Sequence, residues 1–230
     1  MKYLLSLIFL NLSLYAQSSQ SNYITVQDLS MPSAFPEREV EKMILENGLH
    51  VYLVSDPFVQ QSAAAVVVET GFWEDPKEYP GMAHFVEHLL FMGTKTYPKE
   101  SEYTQFIKDH GGLQNAFTST DKTVYMFSIH NEAYEKALDR FSHFFIDPLF
   151  STSCIARELH AVDQEHAKNI EDDRWRLHMV LKETANPLHP YRYFSTGNQE
   201  TLSRIPQAVL QDWYRTHYSA NRMHLVMLSS

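Results

Sequence analysis

GMAHFVEHLLFMG, residues 81–93, sets two histidines and a glutamate within five positions of an otherwise apolar run. As a helix this stretch advances about 100° per residue, so His84, Glu87 and His88 fall within about 100° of arc. Phe85, Val86, Leu89, Leu90 and Phe91 surround them. Three ionisable groups on one stripe of a core-facing helix destabilise a fold unless they share a partner. A metal ion is one such partner. Imidazoles at i and i+4 offer two ligands on one face, and Glu87 between them is placed to take a proton from metal-bound water rather than to ligate. A catalytic zinc site needs three protein ligands and one open position, so a third ligand has to come from elsewhere. The competing reading is a pair of buried histidines bonded to backbone, with no metal.

RELHAVDQEHAKN, residues 157–169, offers that third ligand. Glu158 and Glu165 stand seven apart, nearly on one helical face, with Asp163 and His166 as rival ligands and His160 further off. A ligating carboxylate with a second carboxylate one or two turns away makes a sensible ligand and orienting partner. Acidic residues on a solvated helix face account for the same pattern without a site.

The flanking segments indicate an α+β domain with a mostly antiparallel sheet packed with helices. KMILENGLHVYLVSD (42–56) reads as a hairpin about Asn47-Gly48, whose two turn positions tolerate positive φ. SAAAVVVET (62–70) is an unbroken apolar run and predicts a buried strand. ESEYTQFIKDHGG (100–112) predicts an amphipathic helix stopped by Gly111-Gly112. LQNAFTST and TVYMFSIH predict two strands joined by a short turn at Asp121-Lys122. A helix capped by Asn131 and ending before Pro148 comes next, then one long helix over roughly Thr152–Ala185. A loop over 186–198, a helix opening at Pro206 and a final strand from Met223 complete the chain.

A hydrophobic fraction of 44% over 230 residues is enough to bury a core, and a net charge of −9 argues against a nucleic-acid partner. The single cysteine, Cys154, excludes an intrachain disulfide and a multi-cysteine metal site. MKYLLSLIFLNLSLYAQSSQ has one positive residue, a short apolar stretch and then Ala16 before a polar run. That layout predicts a signal peptide over 1–16, a lead-in over 17–38 and a domain over 39–230. The mature chain is then expected to be exported, periplasmic or secreted, with no membrane span. The last strand closes the sequence without a polar tail, which fits a chain cut from a longer one.

The segments GMAHFVEHLLFMGTKTYPKESEYTQFIKDHGGLQNAFTSTDKTVYMFSIH and RELHAVDQEHAKN together resemble the insulinase/pitrilysin family of inverted-motif zinc metalloproteases. The likeness runs from about Glu39 to the C-terminus. It implies one zinc ion held by His84, His88 and Glu165, the last standing 77 positions beyond His88. It implies Glu87 as general base of a metalloendopeptidase and Glu158 as a supporting carboxylate. Asn115, Ala116, Phe117 and Thr118 match the edge strand that pairs with an extended peptide substrate. Large members are clamshells of two halves, each of two similar units, and this chain matches only the first. Nothing in it matches the arginine and tyrosine that the far half supplies, so further segments, downstream or on a partner chain, are implied. A non-catalytic zinc-binding or assembly module and a truncated remnant are the alternatives.

Overall fold

The apolar runs on either side of Asn47-Gly48 form β2 (Glu39–Leu45) and β3 (His50–Ser55), antiparallel neighbours. The computed structural model describes residues 22–26 and 35–230; the signal peptide read at 1–16 lies outside them. The hairpin turn differs from the expected pair of positive-φ residues. Gly48 alone takes φ +86°, with its N–H donated to the Leu45 carbonyl and Leu45 N–H to the Leu49 carbonyl. The connection runs from Glu46 to Leu49, and longer hairpin loops use an ordinary turn followed by one left-handed residue. Glycine fills that one position.

β1 (Tyr23–Thr25) lies in the lead-in and pairs with β2. With β4 (Gln61–Val68), β5 (Leu113–Thr118), β6 (Thr123–His130) and β7 (Met223–Ser229), the described residues form a seven-stranded sheet of order β1-β2-β3-β7-β4-β6-β5. β7 joins β3 in parallel, while the other pairings are antiparallel. The last strand of the sequence therefore sits at the centre of the sheet, and β5 forms one edge.

Helices α1 (Met82–Leu90), α2 (Glu102–Asp109), α3 (Tyr134–Ser142), α4 (Thr152–Asn169), α5 (Asp173–Glu183), α6 (Gln199–Leu202) and α7 (Gln207–His217) follow in order. Phe85, Leu89, Ile107 and Phe141 from the first three meet Val66, Tyr125, Phe127 and Met227 of the sheet in one apolar core. β4 is buried only at alternate residues: Ala64, Val66 and Val68 face this core. Ala63, Ala65 and Val67 lie half-buried on the other face, so its unbroken apolar run does not mark burial on both sides.

Two helix expectations change. The stretch Thr152–Ala185 is two helices, because the Asp172 carboxylate accepts from Arg174 and Trp175 N–H and starts a new helix there. Asn131 does not cap α3; its side chain accepts from Ser62 Oγ and donates to the Val59 carbonyl, and a 3-10 turn precedes the helix. The short α6 is an element beyond those expected from the sequence. It carries a reciprocal cap in which Asn198 Oδ1 accepts from Thr201 N–H and Thr201 Oγ1 accepts from Asn198 N–H. Among the described residues no helix is long and apolar enough to cross a membrane.

Candidate metal centre

α1 is fixed at its first turn before any ligand is considered. Gly81 precedes it at φ +94°, and a Cβ there would lie 2.3 Å from Gly197 Cα, so only glycine fits. The Asp75 carboxylate accepts from Gly81 and Ala83 N–H, both at 2.7 Å, and satisfies helix-terminal donors. Burial pushes that carboxyl up to about 7, against the pull of those two N–H bonds. Met82, Ala83, Phe85, Val86, Leu89 and Leu90 bury the apolar side of the helix. His84 and His88 are thereby turned together toward α4, ring to ring at 4.7 Å edge to face.

Each imidazole already has its Nδ1 engaged. His84 Nδ1 lies 2.7 Å from the Thr196 carbonyl, which can only accept, so the proton sits on Nδ1. His88 Nδ1 lies 3.2 Å from Glu158 Oε2 and donates likewise. The Nε2 atoms are left facing each other at 3.3 Å, and Glu165 Oε2 stands 3.5 Å from both. In the neutral rings three lone-pair-bearing atoms converge on one point. That repels unless a cation or a proton lies between them.

The spacing fits a tetrahedral metal ion. With Zn–N and Zn–O bonds of about 2.0–2.2 Å, ligand atoms around a tetrahedron stand about 3.3–3.6 Å apart. Among the described residues His84, His88 and Glu165 form the group able to hold an ion in this way. Burial alone would lower His88, but the carboxylates of Glu158 and Glu165 outweigh it and hold the ring at about 9. The hydrogen bond to His88 in turn pulls Glu165 below the usual carboxylate range despite its partial burial.

The rival ligands on α4 point elsewhere. Asp163 accepts from Gln199 N–H at 2.9 Å, His166 packs edge-on against Phe194, and His160 is exposed. Glu87 is buried and accepts from Thr118 Oγ1 at 2.6 Å; burial pushes its carboxyl up, opposed by the nearby His84. Thr118, expected on the substrate strand, thus turns its hydroxyl to Glu87. Asn115, Ala116, Phe117 and Thr118 of β5 line the same cavity of ≈ 540 Å³ as the histidines. Thr196 and Asp75 were legible only as loop residues, since their contacts with His84 and the start of α1 join segments apart in sequence.

The sequence profile of the insulinase family (peptidase family M16) matches residues 50–188. Insulin-degrading enzyme of Mus musculus is 43% identical over 221 residues, covering 93% of this chain and 22% of that protein. Insulin-degrading enzyme of Homo sapiens is 46% identical over 199 residues, 84% of this chain and 20% of that protein. The crystal structure of pitrilysin superposes with a TM-score of 0.86 at 37% identity, covering 91% of this chain and 23% of that one. The chain spans about a fifth of the length of these relatives.

Proposed function

The chain belongs to the insulinase family, peptidase family M16, and from that membership we propose that it is the zinc-holding unit of an endopeptidase acting on peptides. The family consists of metallopeptidases, and the fold of this chain is theirs. One observation carries the proposal for this chain: His84 Nε2, His88 Nε2 and Glu165 Oε2 converge at 3.3–3.5 Å while both Nδ1 atoms are engaged elsewhere.

A zinc ion held there supplies Lewis acidity, lowering the pKa of water to about 7 and polarising a carbonyl. The side chains do the rest. The Glu87 carboxylate takes the proton of the attacking water and passes it to the leaving amine nitrogen. Thr118 Oγ1, donating to Glu87 Oε2, fixes which oxygen is free for that transfer. Among the described residues β5 pairs only with β6, and this edge leaves backbone groups for an extended peptide, which aligns the scissile carbonyl. Because the chain is about a fifth of its relatives' length, we place the opposing wall of the cavity on further segments. Substrate orientation contributes about 7–11 kcal/mol of barrier reduction where it is complete.

Two substitutions test the proposal. Glu87→Gln should keep one zinc per chain and abolish cleavage of a quenched fluorescent peptide, measured with the downstream segments supplied. Glu165→Gln should lose zinc while the circular dichroism of the fold is kept. Full zinc occupancy in Glu165→Gln, or undiminished turnover in Glu87→Gln, overturns it.

A further inference from the structure

Among the described residues Lys182 is the one buried lysine, 1% exposed on α5, a helix whose neighbouring Leu177, Val180 and Leu181 are exposed. A buried ammonium is costly unless its donors are met. Its Nζ donates to the Tyr193 carbonyl at 2.8 Å and to Ser195 Oγ at 3.1 Å, and it lies 4.1 Å above the Phe72 ring. Burial lowers it to about 8, opposed by the charge of Asp75, so it remains mostly protonated at neutral pH.

The acceptors belong to a strap, residues 193–197, with an unusual hydrogen-bond account. Tyr193 N–H returns to Pro190, but among the described residues no backbone–backbone hydrogen bond involves 194–197. The strap is held instead by side chains: Lys182 on Tyr193 and Ser195, and His84 Nδ1 on the Thr196 carbonyl. Gly197 lies directly against Gly81 at the start of α1. A loop whose backbone lacks ladder partners holds one position only as well as its side-chain contacts do. The Thr196 carbonyl is the group that fixes the tautomer and ring plane of His84.

We propose that Lys182 is a positioning residue for the metal centre, clamping the 193–197 strap so that the Thr196 carbonyl holds His84 with its Nε2 toward the metal. Lys182 touches neither metal nor substrate and acts through the strap. The same ammonium ties α5 and the Phe72 turn to the strap, so the clamp also joins the segment after α4 to the start of α1. The inference deepens the metalloprotease reading and rests on it for the word metal, but the contact with His84 is there without an ion.

The test uses Lys182→Met with two readouts. Zinc affinity, by competition with a chromophoric chelator, should fall about tenfold, the lower end of the roughly 10–100-fold cost of losing a ligand-orienting partner. In the metal-free protein the ¹⁵N signals of the His84 ring should shift from a single Nδ1–H tautomer toward a mixture. A purely structural role would lower the melting temperature and move neither. Lys182→Met that folds with wild-type zinc affinity and an unchanged His84 signal overturns the clamp. If that variant does not fold, Ser195→Ala decides: it removes one of two acceptors and should move both readouts in the same direction by less, and no movement overturns the proposal. Should the wild-type chain bind no zinc through Glu165, the metalloprotease reading fails, and the His84 signal alone still judges the clamp.

Discussion

α1 and α4 face each other across the candidate metal centre and hold the side chains proposed as its ligands in opposite ways. α1 buries seven of its nine residues, and both histidines ride on a helix that is part of the main core. α4 buries only Cys154, Leu159 and Val162 of its eighteen, and the Glu165 side chain stays 42% exposed. The imidazole half of the site is therefore placed by packing, which is stiff. The carboxylate half is placed by a partly solvated helix and by what the helix touches. One side of the candidate centre is fixed by core packing, and the other rests on a side chain that is still 42% exposed.

The largest effect that can break this comparison is on stability. Phe85, fully buried between the two histidine-bearing turns, should cost about 3–5 kcal/mol on replacement by Ala. Leu177, 60% exposed on the helix that follows α4, should change stability by no more than about 0.5 kcal/mol. Urea denaturation of the two variants measures both. Similar losses in the two would mean that the α4–α5 region is as tightly built as the core.

A smaller effect should appear in hydrogen exchange. Amides of α1 should be protected to a similar extent with and without zinc, since their burial does not depend on the ion. The last two turns of α4, around Glu165, should gain protection when zinc is added and lose it on chelation. An equal gain in both helices would show that the imidazole half also waits for the metal.

The same contrast explains what could be read in advance. The histidine helix was legible because apolar spacing and the HxxEH pattern lie within one element. The strands were legible because their apolar runs are bounded by turn residues. On α4 the spacing alone left Glu158, Asp163, Glu165 and His166 open; their separation is made by Gln199 and Phe194, which take Asp163 and His166 out of play. The break between α4 and α5 is hidden in the sequence, because an Asp172 cap outweighs a continuous run of helix-compatible residues. The hairpin about Asn47-Gly48 was placed correctly with the wrong turn, since loop length was not fixed by the dipeptide. Lys182 and the strap had no local signal at all: a lysine on a polar-looking helix reads as solvated until the fold brings Tyr193 and Ser195 to it.

The smallest effect concerns Glu158, which touches the proposed ligand His88 at Nδ1, 3.2 Å away, and would act on zinc through that ring. Glu158→Gln keeps an acceptor there and removes a charge, so zinc affinity should fall by about 10–100-fold, less than for Glu165→Gln. Its pH dependence is the sharper measurement. With Glu158 and Glu165 ionised, His88 is held at about 9, so below that pH zinc has to displace a proton from the ring. Affinity of the wild-type chain should thus fall as pH is lowered. Removing the Glu158 charge lowers His88 and weakens the competing proton, which offsets part of the loss of orientation. The sign is then fixed: the deficit of Glu158→Gln relative to wild type should be wider at pH 8.5 than at pH 6, as read by chelator competition at both. A deficit that stays constant, or widens on acidification, would mean that Glu158 does not set the proton affinity of His88. The carboxylate half of the site would then act by orientation alone.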